Sequence, residues 1–81
     1  MKFSVRLFAA ARQIAGEDVV EVDVPSPATV GAVRDALGKR YPDLSPLIAH
    51  MRFAIDSEYA SGEDLIPDQA EIACIPPVSG G

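Results

Sequence analysis

Residues 2–7 alternate without a break, with Phe3, Val5 and Leu7 on one side and Lys2, Ser4 and Arg6 on the other. Period two is the signature of a strand with one buried face, so the chain is committed from its start to a sheet that another layer must cover. Phe8 continues the alternation on the polar side. Residues 9–15 then read as a short helix with Ala10, Ala11 and Ile14 on one side and Gly16 as its stop. A second strand follows, in which Val20, Val22 and Val24 alternate with Val19, Glu21 and Asp23 before Pro25 closes it.

The covering layer is predicted over residues 30–40. Thr29 can cap this helix, and Val30, Val33, Leu37 and Tyr41 keep helical spacing. Lys39 and Arg40 fall in its last turn, where cations are favoured, and Pro42 ends it. Gly31 and Gly38 weaken it somewhat. Residues 43–49 suggest another helical turn, after which Met51, Phe53 and Ile55 alternate as a third strand. Asp56-Ser57 reads as a turn, Tyr59-Ala60 as a brief edge strand, and Ser61-Gly62-Glu63-Asp64 as a loop. Pro67-Asp68-Gln69-Ala70 turns the chain into a last strand with Ile72 and Cys74 on one face and Ala73 and Ile75 on the other. The fold class is α+β.

That last strand runs into Pro76 and Pro77, which cannot donate to a ladder and favour an extended backbone. Val78, Ser79, Gly80 and Gly81 follow, the two glycines without bulk. The chain therefore divides into a domain over residues 1–75 and an extended arm over 76–81, which spans roughly 20 Å at full reach. What the arm delivers is the Gly81 carboxylate, ionised at neutral pH. A carboxylate becomes an acyl donor once its oxygen is made a leaving group, for example by adenylation.

The combination of a strand, a Pro-Pro exit, Val-Ser and Gly-Gly resembles the C-terminal signature of the small, sulfur-carrying subunit of molybdopterin synthase, a ubiquitin-like family. Leu7-Phe8-Ala9-Ala10-Ala11-Arg12-Gln13-Ile14-Ala15-Gly16 resembles that family's opening, and Ala28-Thr29-Val30-Gly31 its entry into the main helix. The resemblance covers nearly the whole chain. It implies a β-grasp fold: a mixed sheet with parallel, adjacent first and last strands, one long helix and short helices. Phe8 and Ile75 would then flank the arm's exit. It further implies that an activating enzyme, using ATP and magnesium, adenylates Gly81, and that a sulfur donor protein converts it to a thiocarboxylate. The large catalytic subunit, in a heterotetramer, would receive the arm and pass its sulfur to a cyclic pyranopterin. The chain itself would be a non-catalytic subunit with no permanently bound cofactor. In the family an aromatic, an apolar residue before the Pro-Pro and another near the third strand's end pack on the large subunit. Here these are Phe8, Ile75 and Tyr59. Asp56 stands where the family commonly has Asn, and Pro67-Asp68-Gln69-Ala70 replaces an Asp-Gly-Asp turn. Two other destinations share the arm: a sulfur carrier for thiazole formation in the thiamin pathway, against which Pro-Pro-Val-Ser argues, and a ubiquitin-like modifier that forms an amide with a target lysine.

The remaining composition narrows the field. With 81 residues there is room for one domain. A net charge of −5 argues against nucleic acid and points to a basic protein partner. Charges interleave with apolar residues at the N-terminus, unlike a signal peptide, and no segment is long enough to span a bilayer, so the expected location is the cytoplasm. No P-loop, dinucleotide fingerprint, metal-ligand spacing or nucleophile elbow is present. His50 stands alone and reads as structural or exposed. Cys74, the single cysteine, is in phase with Ile72 and reads as a small buried hydrophobe. Glu17, Asp18, Glu21 and Asp23 read as a solvated strand face. Phe8, on an otherwise polar face, either closes a local cluster with the following helix or marks a docking surface; the resemblance favours docking.

Overall fold

A computed structural model describes residues 1–76 of the chain. The predicted alternation at its start becomes strand β1 (Lys2–Leu7), whose buried positions are Phe3, Val5 and Leu7. β2 (Val19–Asp23) pairs with it antiparallel, from Lys2 opposite Asp23 to Arg6 opposite Val19, and adds Val20 and Val22 to the same buried face.

Between them lies helix α1 (Ala9–Ala15), which stops at Gly16 in the left-handed conformation, φ 77°. There the Gly16 N–H donates to the Arg12 carbonyl oxygen at 2.8 Å. The helix does not bury the side expected of it. Ala11 is fully buried and Ala15 packs on the core, whereas Ala10 is exposed and Ile14 is 47% exposed. Residues four apart form one narrow stripe, and a two-turn helix resting near the Pro42–Leu44 turn touches the core along that line alone. Two methyl groups let its backbone approach closely; Ile14 would hold it off.

Helix α2 (Val30–Arg40) covers the apolar face of the sheet with Val30, Val33 and Leu37, all buried, while Tyr41 is half-buried at its end. Its first amides are all provided for. The Ala32 N–H donates to Thr29 Oγ1 at 3.2 Å, the Val30 N–H to the Asp64 carbonyl at 3.0 Å and the Gly31 N–H to the Gly62 carbonyl at 2.9 Å. A helix leaves its first N–H groups without internal partners, so the loop over residues 61–64 acts as a second cap. A 3₁₀ turn (Pro42–Leu44) and helix α3 (Ser45–Ile48) then bury Leu44 and Ile48.

β3 (Arg52–Ile55) and β4 (Glu58–Ala60) form a hairpin closed by Asp56 and Ser57, both at positive φ (48° and 72°), as a tight two-residue turn requires. The alternation of Met51, Phe53 and Ile55 holds only in part. Met51 and Phe53 are buried, but Ile55 is half-buried and Ala54, on the opposite face, is 3% exposed. Ala54 lies between its cross-strand partners Ala73 and Tyr59, which are large enough together to cover a methyl group.

β5 (Ile72–Ile75) is last in sequence and central in space: the order is β2-β1-β5-β3-β4. It runs parallel to β1, with Val5 opposite Ile72 and Leu7 opposite Cys74, and antiparallel to β3, with Arg52 opposite Ile75. Ile72 and Cys74 complete the core, which contains no buried charged or polar side chain among the described residues. This is the ubiquitin-like β-grasp arrangement, with its parallel first and last strands.

Candidate functional site: the outer sheet face where the arm begins

The parallel pairing of β1 and β5 decides which side chains lie beside Pro76, where the described residues end. Leu7 is level with Cys74, so the next residues, Phe8 and Ile75, end side by side at the same edge of the sheet. Phe8 takes an extended conformation at the head of α1, which turns its ring away from the core and leaves it 41% exposed. Tyr59 reaches the same face from β4, through its pairing with Ala54, and is 59% exposed. Phe8, Tyr59 and Ile75 meet around one depression of about 320 Å³, floored by Ala54 and Ala73 and edged by Ser57 and Glu71. The structure thus brings together the three residues singled out from the sequence. Pro76 is half-buried; Pro77, Val78, Ser79, Gly80 and Gly81 lie outside the described residues.

Charges fix the rim. The Arg52 guanidinium lies over the Tyr59 ring, 5.1 Å from its centroid, and Arg6 Nε lies 3.7 Å from Glu71 Oε1. Glu71 and Asp56 brace each other: the Glu71 N–H donates to Asp56 Oδ1 at 2.9 Å, and the Asp56 N–H donates to the Glu71 carbonyl at 2.8 Å. An asparagine would offer the same Oδ1 acceptor, so Asp56 preserves the turn. Gln69, in the turn that departs from Asp-Gly-Asp, takes the left-handed conformation (φ 65°) that a glycine adopts without strain. None of Arg52, Glu71 or Arg6 was read from the sequence as part of the site, although Arg52 precedes Phe53 in the alternation and so must face outward.

The other candidates fall elsewhere. Cys74 is wholly buried, and burial pushes its thiol up to about 11, so it stays protonated at neutral pH and is no nucleophile. His50 is exposed, and the described residues contain no group of three His, Cys, Asp or Glu placed to hold a metal. Of the acidic cluster, Asp23 binds the N-terminal amine at 3.0 Å, Asp18 lies 3.4 Å from Arg12 and Glu17 accepts from the Tyr41 hydroxyl at 3.1 Å. All four acids are exposed, as a solvated face should be. No helix among the described residues is long and apolar enough to cross a membrane.

The ThiS family model matches residues 5–81. The chain belongs to the ThiS family. Within it, the molybdopterin synthase sulfur carrier subunit of Arabidopsis thaliana is 31% identical over 81 residues, covering all of this chain and 84% of that protein. The crystal structure of the small archaeal modifier protein SAMP1 from Haloferax volcanii superposes with a TM-score of 0.87 at 32% identity, and each chain covers the other completely. A chain in the complex of subunits 1 and 2 of the molybdopterin-converting factor from Helicobacter pylori matches over its full length, with a TM-score of 0.69 at 20% identity. That last likeness is one of fold. Membership of the ThiS family bears out the resemblance carried by the opening segment, the entry into α2 and the Pro-Pro-Val-Ser-Gly-Gly end.

Proposed function

We propose that this chain is the sulfur carrier subunit of a molybdopterin synthase. The observation that carries the proposal is the meeting of Phe8, Tyr59 and Ile75 at the point where β5 gives way to Pro76. An exposed apolar patch rimmed by charge is a docking surface, and this one lies at the root of the arm. Docking there places the arm where the partner's active site needs it.

In this reading an activating enzyme spends ATP, with magnesium, to join the Gly81 carboxylate to AMP and release pyrophosphate. A sulfur donor protein supplies sulfur at the sulfide level, which takes the acyl group from AMP and leaves a thiocarboxylate. The chain then docks on the large catalytic subunit, within a heterotetramer; the thiocarboxylate sulfur attacks a carbon of a cyclic pyranopterin and displaces an oxygen substituent, and water cleaves the resulting thioester, leaving the sulfur on the pterin and returning Gly81 as a carboxylate. A thiocarboxylate is a stronger nucleophile than a carboxylate, and tethering it to a docked domain supplies effective concentration. In this reading the acids, bases and cations of the transfer come from the partners. The names of the relatives support this assignment. A second reading, a modifier that ends in an amide to a target lysine, is favoured by a relative 36% identical over 84 residues, the small archaeal modifier protein 1 of Haloferax volcanii. Both share activation and differ in the acceptor.

Intact mass of the protein isolated from cells separates them: one oxygen replaced by sulfur is expected for the carrier, and conjugates on other proteins for the modifier. Adenylation of Gly81 is tested by appending one residue after it or deleting it. Deletion moves the carboxylate about 3.5 Å from its working position, a large error for catalysis. Either variant should keep the fold and lose acyl-adenylate formation, followed as pyrophosphate release with the activating enzyme in excess. A variant adenylated as fast as the parent would overturn the reading.

A further inference from the structure

Beside the Phe8 patch, and sharing Tyr59 with it, an open cleft of about 330 Å³ separates the first turns of α2 from the β3–β4 hairpin. Arg34 and Arg52 stand in it, and no carboxylate of the described residues lines it. Arg6 and Arg12 each have a carboxylate within 4 Å; among the described residues Arg34 and Arg52, like Lys2, Lys39 and Arg40, have none. The nearby Asp64 carboxylate is occupied by the Ser61 N–H at 2.9 Å. The first turn of α2 contains no acidic residue to offset the positive end of the helix.

Both guanidinium groups are also held in place. Arg52 is stacked on Tyr59, and Arg34 lies across the contact between Gly31 and Gly62, within 4 Å of where a Cβ on either glycine would sit. A planar fork fixed in this way is suited to a carboxylate, which it can bind through two N–H groups at once. The acidic residues Glu21 and Asp23 lie on β2, at the opposite edge of the sheet from β4. Acidic residues also stand on the cleft's own side of the sheet, Glu58 in β4 and Glu71 at the rim of the Phe8 patch, but none of these lines the cleft.

We infer that the Arg34–Arg52 cleft receives a carboxylate-rich segment of the protein that docks on the Phe8 patch, and that this pairing sets the partner's rotation about the arm. The inference rests on the docking reading, because it is the shared Tyr59 that makes cleft and patch one surface. Nucleic acid is a poorer occupant, since a net charge of −5 repels an extended polyphosphate, whereas a short carboxylate segment on an otherwise basic partner need meet only the two arginines.

The test measures association and dissociation rates of the full chain with the large synthase subunit of the same organism, at low and high ionic strength. Reversing both charges (Arg34→Glu with Arg52→Glu) is expected to slow association roughly tenfold at low salt and to flatten its salt dependence, because rim charges act on the encounter. Arg52→Lys should keep the salt dependence, which a merely structural role for the arginine would not require. Phe8→Ala should do the opposite of the double reversal, speeding dissociation with the salt slope unchanged. Thermal melting confirms that the variants fold, and Arg34→Gln replaces Arg34→Glu if it does not. An unaltered or steeper salt slope in the double reversal, with Phe8→Ala still weakening binding, overturns this inference alone. If Phe8→Ala also leaves binding intact, the docking reading fails and the inference with it.

Discussion

Phe8 and Cys74 show how far a single position can be read. Phe8 was ambiguous because an aromatic out of phase with its strand can close a local cluster or face a partner. Its 41% exposure and its place beside Ile75 favour the partner. Phe8→Ala should therefore weaken binding to the large subunit by about 2 kcal/mol or more, as central aromatics do, while changing stability by less than about 0.5 kcal/mol. Calorimetry and denaturant unfolding measure the two quantities, and a loss of folding would assign Phe8 to the core. For Cys74 the alternation alone predicted burial correctly. Its thiol, at 9.0 when unfolded, is raised to about 11 in the fold. The neutral form is the one the fold tolerates, so this contribution is complete below pH 9 and is lost as pH rises toward 11. Relative to Cys74→Ala, the parent should lose on the order of 2 kcal/mol across that window, read from urea midpoints at stepped pH. At neutral pH the same substitution should cost only about 1 kcal/mol. Parallel pH curves for the two proteins would show that burial does not hold the thiol protonated.

Among the elements, those with strong periodicity were legible and those shaped by neighbours were not. The bounds of α1 and α2, the Thr29 cap and the two faces of β5 follow from local spacing and chemistry. The buried stripe of α1 does not, because it depends on how closely a short helix can approach the rest of the core. Nor does the burial of Ala54, which depends on strands that arrive later in the sequence. The two glycines of α2 make the distinction sharp. Both were expected to weaken the helix. A Cβ on Gly31 would meet the Gly62 carbonyl oxygen at 3.1 Å, where it would press on the bond that caps the helix. On Gly38 it would meet nothing closer than Ser45 Oγ at 3.8 Å. Gly38→Ala should stabilise the protein by about 0.5 to 1 kcal/mol, and Gly31→Ala should destabilise it despite the same gain in helix propensity. Thermal melting of the two variants checks this, and equal shifts in the same direction would show that the 61–64 loop yields freely.

At the scale of the whole molecule, the chemistry proposed for the arm could be read from the sequence, because Pro-Pro-Val-Ser-Gly-Gly is contiguous. The docking face was legible only through resemblance. Its members come from β1, β4 and β5, and only strand order brings them together. The Arg34–Arg52 cleft was silent altogether, since nothing in the spacing of residues 34 and 52 announces that they share a wall. That strand order also bears on how the chain comes to be made. The central strand is the last one synthesised, and until it emerges the nascent chain holds two hairpin-like halves, β1–β2 and β3–β4, with a vacancy between them. Those halves do not pair with each other, so the core closes only when Ile72 and Cys74 slot between them, a step that links residues far apart in sequence. The segment that completes the fold is continuous with the one that leads into the arm. A chain truncated before Ile72 consequently lacks the strand that joins the two halves, and is expected to be open to proteases as an unclosed fragment.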